Sequence, residues 1–266
     1  MKRVFEEKIN GFTIAIVATK DGFEGLVQGS GKKGDVLKGT SIDVLKAALR
    51  NEAGKMHPNY FGISGAKKRF LEFFPDGFSD QSYLRRERSY KDKAKNALLT
   101  ALPIEIAAHP DSEQATAARK ALITNLLSPF ESARMHEVLG SSDGPQFVKG
   151  AAQFASGNYS SGLKAMERAV LPHGRMSWPI ATYLPYFWAP EGHLFIKPVA
   201  TVDFATRINH QFAASYSAEF DAAVYESALD LMMHTSQAII DLGPKDGIDV
   251  QSFIWVVGSY TDNDHD

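Results

Sequence analysis

The C-terminal third of the chain sets polar side chains that can bind anions or transfer protons among aromatic and proline residues. Six positions carry this chemistry: His173, Arg175, His193, Lys197, Asp249 and Gln251. Binding pockets commonly combine mostly apolar walls with a few convergent polar groups. The first five are therefore candidate catalytic residues of an enzyme of unrecognised type. The alternative is a packing corner, rich in Trp and Pro, whose polar groups cap helix ends.

Residues 67–95 form the densest basic stretch, with nine Lys or Arg against five Asp or Glu and a net charge of +4. Aromatic residues are interleaved with these charges, which suits contacts with phosphates and stacking on an unpaired base. The candidate nucleic-acid-binding residues are Lys67, Lys68, Arg69, Arg85, Arg86, Arg88 and Lys91.

The alternative for this stretch is a pair of amphipathic helices with solvated charges. Phe70, Phe73 and Phe74 have the i, i+3, i+4 spacing of a buried stripe. The net charge of the whole chain is −2, which favours this alternative because a dedicated nucleic-acid binder is usually basic overall.

The sequence contains no complete motif of a familiar catalytic site. The basic loop at residues 29–34 has the wrong glycine spacing for a phosphate-binding loop, and Lys33 stands where that motif needs Ser or Thr. Glu6, Glu7 and Lys8 have the spacing of a metal-dependent nuclease, but a charged edge strand explains them better. No pair of histidines has the spacing of a zinc peptidase, and Gly-x-Ser-x-Gly is absent. The lack of Cys excludes disulfides, thiolate catalysis and Cys-ligated metals, so we expect no metal and no cofactor.

The composition is that of a globular protein, with 44% hydrophobic and 23% charged residues. Glu6 and Glu7 interrupt any apolar run near the N-terminus, so we expect no signal peptide. The longest apolar stretches are far shorter than the ~20 residues that a membrane-spanning helix needs. We therefore expect a cytoplasmic protein that does not associate with a membrane.

The hydrophobic pattern changes once along the chain. Apolar, β-branched residues at 12–17 follow the hairpin signal of Asn10 and Gly11 and predict strands. Helical spacing follows, with a capping box at Ser128 and the longest helix, residues 218–242, after Ser217 as N-cap. The predicted fold class is mainly α (α+β): a multi-helix globular domain with a small N-terminal antiparallel β-meander. We expect the meander at residues 1–35, the helical domain at 36–260 and a flexible acidic tail at 261–266.

Five segments carry a resemblance to a known family. They are FLEFFPDGFSD at residues 70–80, the run from 83 to 91, NLLSPFE at 125–131, FIKP at 195–198 and DVQSFIW at 249–255. In these segments the chain resembles a family of uncharacterised bacterial proteins. The resemblance covers about residues 65 to 258, so it implies that they belong to one domain. It implies no activity and transfers no catalytic residue.

Three hypotheses about function follow. The first is a non-catalytic binding or accessory protein, associated with nucleic acid or with a nucleic-acid-processing or defence protein. The second is an enzyme whose His, Arg, Lys and Asp candidates in residues 173–251 line one cleft. The third is a structural subunit that buries an exposed tryptophan in an oligomer.

Overall fold

The computed structural model describes residues 2–9, 11–29, 31–122 and 125–264. The predicted turn at Asn10 and the end of the acidic tail, 265–266, lie outside the described residues, as does Ser30 in the basic loop. The strands, in chain order, are β1 Lys2–Ile9, β2 Phe12–Thr19, β3 Gly22–Gly29, β4 Lys32–Lys33 and β5 Leu37–Gly39.

Helices form most of the remaining chain. In chain order they are α1 Ile42–Lys55, α2 Gly62–Phe73, α3 Gln81–Tyr83, α4 Ser89–Ala101, α5 Ile104–Ala107, α6 Ser112–Ala118, α7 Pro129–Leu139, α8 Gly144–Ala155, α9 Tyr159–Val170, α10 Trp178–Trp188, α11 Pro198–Ile208, α12 Phe212–Ser215, α13 Ala222–Ala238 and α14 Gly247–Ser259. A π-helical turn, Leu84–Arg88, joins α3 to α4. The predicted fold class, mainly helical with a small N-terminal antiparallel sheet, is confirmed.

Contacts divide the chain into two compact units. The smaller unit holds Met1–Ala66 and Ala205–His210, and the larger unit holds Lys67–Phe204 and Gln211–Asp266. In this division α1 belongs with the sheet. The boundary at residue 35 that we inferred from the sequence stays a prediction.

The smaller unit is a β-meander packed against one helix. β1, β2 and β3 pair in antiparallel order, and both β4 and β5 pair with β3. Alternate residues of β2, including Ile14 and Ile16, meet Leu45 and Leu49 of α1 in one apolar core. A sheet this small needs such a partner to be stable. The Glu6, Glu7 and Lys8 triplet lies in β1, the edge strand, as expected for charges that protect an edge.

The larger unit is built around α10, in which every residue is buried. A helix that is buried all round needs apolar and aromatic side chains on every face. Two of its polar ring atoms donate to main-chain oxygens: Tyr183 Oη to Ala121 O at 2.7 Å, and Trp188 Nε1 to Leu102 O at 2.9 Å. Residues 172–198 are dense in proline, and α10 is the short α-helix within this region. Its inner Pro185 lies within the last turn, where its missing N–H removes one hydrogen bond only.

Local capping explains where several helices begin. Ser128 and Glu131 form the predicted capping box, with Glu131 N donating to Ser128 Oγ and Ser128 N to Glu131 Oε2. The predicted start of the longest helix was wrong. That helix, α13, begins after Asp221, whose carboxylate accepts a bond from Ala223 N at 2.9 Å, and it ends at Ala238. The hydroxyl of Ser217 instead accepts a hydrogen bond from Glu219 N, and its main-chain carbonyl accepts one from Trp178 Nε1.

Two adjacent helices of the larger unit approach each other through glycines. A Cβ at Gly162 of α9 would lie 2.7 Å from Gly150 O and 2.7 Å from Phe154 Cβ of α8. Only a residue without a side chain allows this separation.

In the described part of the chain, no helix has both the length and the apolar character that crossing a bilayer requires.

Replacing Gly162 with Ala tests this close packing. Ala is the better helix former, so the change would stabilise an isolated helix. Here we expect Gly162→Ala to lower the free energy of unfolding by about 1–3 kcal/mol, because the new methyl group overlaps main-chain atoms of α8. Urea unfolding measures the difference. Lys164→Ala, an exposed change on the same helix, is the control and should shift stability by less than about 0.5 kcal/mol. Equal stabilities for the two variants would contradict the packing.

Candidate functional site

The segment from α3 through the π-helical turn to α4 divides its charged side chains between the interior and a cleft. Glu87, Arg88 and Lys91 are 3%, 6% and 0% exposed, whereas Arg85 is exposed. A π-helical turn accommodates an extra residue and occurs often at functional sites. Here the turn separates two arginines, one of which is buried and one of which faces solvent.

Arg88 is the centre of a buried ionic network between this segment and the start of α14. Its guanidinium binds Asp246 in a fork, with Nη1 donating to Oδ1 at 2.8 Å and Nη2 to Oδ2 at 2.7 Å. Nη1 also donates to Asp249 Oδ1 at 2.8 Å, and Nε to Asp92 Oδ2 at 2.9 Å. Burial acts to lower the pKa of Arg88, but these hydrogen bonds raise it above its ordinary value, so the cation is kept. The same fork lowers the pKa of Asp246 against the opposing effect of burial.

The Asp249 carboxylate is satisfied on both oxygens. Oδ1 accepts from Arg88 and from the hydroxyl of Tyr83, and Oδ2 accepts from Lys245 N at 2.7 Å. An aromatic box holds Tyr83: the rings of Phe70, Phe74 and Phe78 lie 5.3–5.9 Å from its ring. Burial and the Asp249 charge raise the pKa of Tyr83, so it stays a donor. The predicted Phe stripe is thus a core element that positions this hydroxyl.

Lys91 and Glu87 form a second buried pair one helical turn apart. Lys91 Nζ donates to Glu87 Oε2 at 2.9 Å and to Ser252 Oγ at 2.7 Å. Glu87 Oε1 accepts from the hydroxyl of Tyr260 at 2.7 Å. Burial lowers the pKa of Lys91, and the Glu87 charge opposes this effect. The Glu87 carboxylate lies at the edge of the cleft, and Lys91 offsets its charge.

The cleft itself has a volume of about 420 Å³ and lies within the larger unit. Its cations are Arg85, Arg86 and Lys197, and its aromatic walls are Tyr90, Phe195, Trp255 and Tyr260. Glu87 and the amides of Asn125 and Gln251 complete the polar lining. The volume falls within the range of small-molecule sites.

None of the three cations of the cleft forms a salt bridge with a carboxylate of the described residues, and the Glu131 charge acts on Lys197 without such a direct pair. Arg86 Nη2 donates to Asp264 O at 2.7 Å, and its guanidinium lies 5.0 Å from the ring of Tyr260. Lys197 Nζ donates to Leu126 O at 2.6 Å and lies 5.7 Å from the ring of Trp255. Arg85 has one weak contact, 3.4 Å from Nη2 to Ser82 Oγ. Burial lowers the pKa of Lys197, as expected for an ammonium group with little water around it.

Gln251 is a buried amide with an unused hydrogen-bonding atom. Its side chain is 2% exposed and lines the cleft, and its Oε1 has no hydrogen-bond partner among the described residues. Such an atom costs about 1–3 kcal/mol of stability when it is left unpaired. Gln251 lies one helical turn before Trp255 on α14, so the two side chains share a face.

The cleft is the meeting point of several segments that are far apart in the sequence. Residues 83–91, 125–131, 195–198 and 249–255 each contribute side chains to its lining. The remaining segment, residues 70–80, supplies the aromatic box around Tyr83. Segments that are far apart in the sequence thus converge on one feature.

The seven predicted nucleic-acid-binding residues have different environments. Arg85 and Arg86 line the cleft. Arg88 and Lys91 are buried and bonded to carboxylates, so neither presents its charge to a phosphate in this structure. The remaining three lie on α2: Lys67 pairs with Asp241 at 2.6 Å, Arg69 donates to Tyr260 O, and Lys68 is exposed.

The five candidate catalytic residues have separate sets of partners. His193 is 4% exposed; Nε2 donates to Ala155 O and Nδ1 accepts from Tyr225 Oη, both at 2.9 Å, and burial lowers its pKa. Arg175 has an exposed side chain. Asp249 belongs to the Arg88 network.

His173 and Lys197 complete the set. His173 Nε2 lies 2.9 Å from Asp143 Oδ2, and this hydrogen bond raises the pKa of His173. Lys197 is the one of the five that lines the cleft. The described residues contain no group of three or more His, Asp or Glu arranged to hold a metal ion.

Sequence reasoning did not identify Glu87 or Tyr260 as site residues. The Glu87 and Lys91 spacing of i, i+4 is a signal for a helical ion pair, but it does not show that the pair is buried. Tyr260 gives no local signal, because its role depends on contacts with residues 69, 86 and 87.

Comparison of the chain with protein-family models, with curated proteins and with solved structures found no match. The interpretation of the cleft therefore depends on its own geometry and charges.

Replacing Arg88 with Met tests the ionic network. Removing one partner of a buried pair leaves uncompensated charge, so we expect Arg88→Met to lower the free energy of unfolding at neutral pH by about 3–5 kcal/mol. Arg85→Met is the matched control and should change it by less than about 0.5 kcal/mol. The folded pKa of Asp246 is lowered, so its contribution is present above the ordinary aspartate pKa of about 3.9 and is lost as the pH falls through the folded value. The gap between Arg88→Met and the native protein should therefore narrow in acid. Unfolding curves that show no gap at neutral pH would contradict the network.

His173 predicts a second dependence on pH. Its folded pKa is raised, so its stabilisation is complete below the ordinary histidine pKa of about 6.5 and is lost as the pH rises through the folded value. We expect the free energy of unfolding to fall over this interval in the native protein and to fall less in His173→Gln. Denaturant unfolding at a series of pH values measures both curves. Parallel curves would show that the contact with Asp143 does not form.

Proposed function

We propose that this chain is a non-catalytic binding protein whose cleft holds an anionic ligand with a flat aromatic part. The observation that carries the proposal is the convergence of Arg85, Arg86 and Lys197 on one aromatic-walled cleft, where none of the three forms a salt bridge with a carboxylate of the described residues.

Electrostatics supports an anion. Three positive charges border the cleft, and the one carboxylate in its lining, Glu87, is offset by Lys91. Like charges held close together repel, and a partly enclosed site weakens the screening by water. An anionic ligand relieves this repulsion and supplies acceptors for donors that have few protein partners.

The walls support a flat ring. Tyr90, Phe195, Trp255 and Tyr260 offer aromatic surface, and Trp255 is partly exposed although Trp178 and Trp188 are buried. Aromatic faces in a binding site favour planar partners through stacking and apolar contact. A small inorganic anion alone would leave this surface unused.

The separate environments of the candidate catalytic residues favour binding over catalysis. Among the five, Lys197 lies in the cleft, and His173, His193 and Asp249 are bonded to other partners. The enzyme and oligomer hypotheses, an accessory role beside a nucleic-acid-processing protein and the cytoplasmic location stay predictions from the sequence.

Isothermal titration calorimetry with phenyl phosphate tests the proposal. We expect phenyl phosphate to bind more tightly than either inorganic phosphate or phenol, because only phenyl phosphate satisfies both the cations and the walls. Arg85→Gln should weaken binding about tenfold, equivalent to about 1.4 kcal/mol. Arg175→Gln removes the same charge from an exposed position outside the lining and should leave the affinity unchanged.

Tryptophan emission provides an independent readout at the cleft. Phenyl phosphate should change the emission of Trp255, and Trp255→Phe should abolish that change. Trp178 and Trp188 are buried and donate their Nε1 protons to main-chain carbonyls, so they should respond little. No binding of phenyl phosphate at low salt, or equal binding by Arg85→Gln, would refute the proposed function.

A further inference from the structure

We infer that the ligand is a nucleotide unit whose base edge is read by Gln251 and whose phosphate is bound by Arg85 and Arg86. This inference rests on the proposed function, since it identifies the ligand of the same cleft. It names the ring as a nucleobase and assigns Gln251 as the residue that determines specificity.

The Gln251 amide has an oxygen atom that forms no hydrogen bond with the described residues. Gln251 is 98% buried, it lines the cleft, and its Oε1 has no partner among the described residues. Neighbouring buried polar groups are paired: Ser252 Oγ donates to Ile248 O at 2.8 Å and accepts from Lys91 Nζ at 2.7 Å. A buried polar atom without a partner needs an explanation. Of the residues with such an atom in the described part of the chain, Gln251 is the one that lines the cleft, so we assign its Oε1 to a ligand group.

A side-chain amide recognises groups that carry hydrogen-bond donors and acceptors next to each other. A carboxamide carries an acceptor and two donors side by side, and rotation about its last bond exchanges them. It therefore matches a ring edge that carries both donors and acceptors. Nucleobases have such edges, and glutamine and asparagine side chains pair with them through two hydrogen bonds. A benzene or naphthalene ring offers no such edge.

An aromatic side chain, Trp255, lies beside the Gln251 amide in the cleft lining. Trp255 lies one turn beyond Gln251 on α14 and lines the same cleft. Proteins hold an unpaired base by combining an aromatic or guanidinium face with hydrogen bonds to the base edge. Both kinds of group border the cleft, because the Arg86 guanidinium lies 5.0 Å from the ring of Tyr260.

Arg85 and Arg86 bind the phosphate of the nucleotide. Arg85 is exposed and makes one contact, at 3.4 Å, so its donors are available to an anion. Arg86 precedes Glu87 on the same π-helical turn and uses one donor on Asp264 O. Arginine binds phosphate through paired N–H groups, which a lysine does not match.

The size of the cleft limits the ligand to one unit. A volume of about 420 Å³ suits a single nucleotide, and base edges of a duplex are not accessible to such a cleft. The nucleotide can be free or can belong to a single strand, and both share this chemistry.

Calorimetric titration with AMP, GMP, CMP and UMP tests the inference, with phenyl phosphate as the reference. We expect at least one nucleotide to bind about tenfold more tightly than phenyl phosphate. Gln251→Met, which keeps the length and removes the amide, should lower the affinity for that nucleotide more than the affinity for phenyl phosphate, so that the tenfold gain is lost. It should also raise the midpoint of thermal unfolding in the free protein, since it removes an unpaired buried oxygen. Gln146→Met, an exposed change on α8, is the control for both readouts.

Two single strands distinguish the sources of the nucleotide. A linear oligonucleotide has ends, and a circular oligonucleotide of the same composition has none. Competition by the linear strand alone identifies a strand end, competition by both identifies internal unpaired bases, and competition by neither leaves the free nucleotide. Each of these outcomes supports the inference when Gln251→Met abolishes the preference.

The failures are distinguishable. If phenyl phosphate binds and no nucleotide binds more tightly, the nucleotide inference is wrong and the proposed function stands. If a nucleotide binds Gln251→Met as tightly as the native protein, the specificity role of Gln251 is wrong. If neither phenyl phosphate nor any nucleotide binds, both proposals are refuted.

Discussion

The forked ion pair between Arg88 and Asp246 is the constraint on which the rest of the larger unit depends. It joins the π-helical turn before α4 to the residue that caps α14, and Asp249 one turn later binds the same guanidinium. A buried charge is tolerated only when its partners are positioned accurately. The network therefore links α4 and the turn before it to α14, and both helices contribute residues to the lining of the cleft.

The same turn also explains why the cleft is positively charged. Arg88 and Lys91 point to the interior, where carboxylates neutralise them, whereas Arg85 and Arg86 line the cleft. Arg85 and Arg86 form no such salt bridge with a carboxylate of the described residues. A chain with a net charge of −2 can thus have a positively charged cleft, because the local electrostatic potential depends on where the charges lie and not on their sum.

The buried polar groups around the cleft differ in whether they have hydrogen-bond partners. Most buried polar atoms of the network are paired, in agreement with the usual behaviour of protein interiors. Four buried side-chain atoms of the described residues are exceptions: Gln251 Oε1, the hydroxyl of Tyr186 on α10, Arg69 Nε and Arg134 Nε. The Tyr186 hydroxyl is enclosed in the core, where burial raises its pKa, and it is not part of the cleft lining. Of these four residues, Gln251 is the one that lines the cleft.

Local signals in the sequence were sufficient for the elements and for part of the site. The β-branched run before residue 20, the capping box at Ser128 and the Phe stripe gave the meander, the start of α7 and an apolar face of α2, because each depends on residues a few positions apart. Lys197 and Gln251 were also selected from their aromatic surroundings. The tertiary structure alone decided which charges are free. Arg88 and Arg85 are alike in the sequence, and the partners that bury Arg88 lie 158 and 161 positions away. Ion pairing over such distances depends on how helices pack, and no local pattern of residues encodes it.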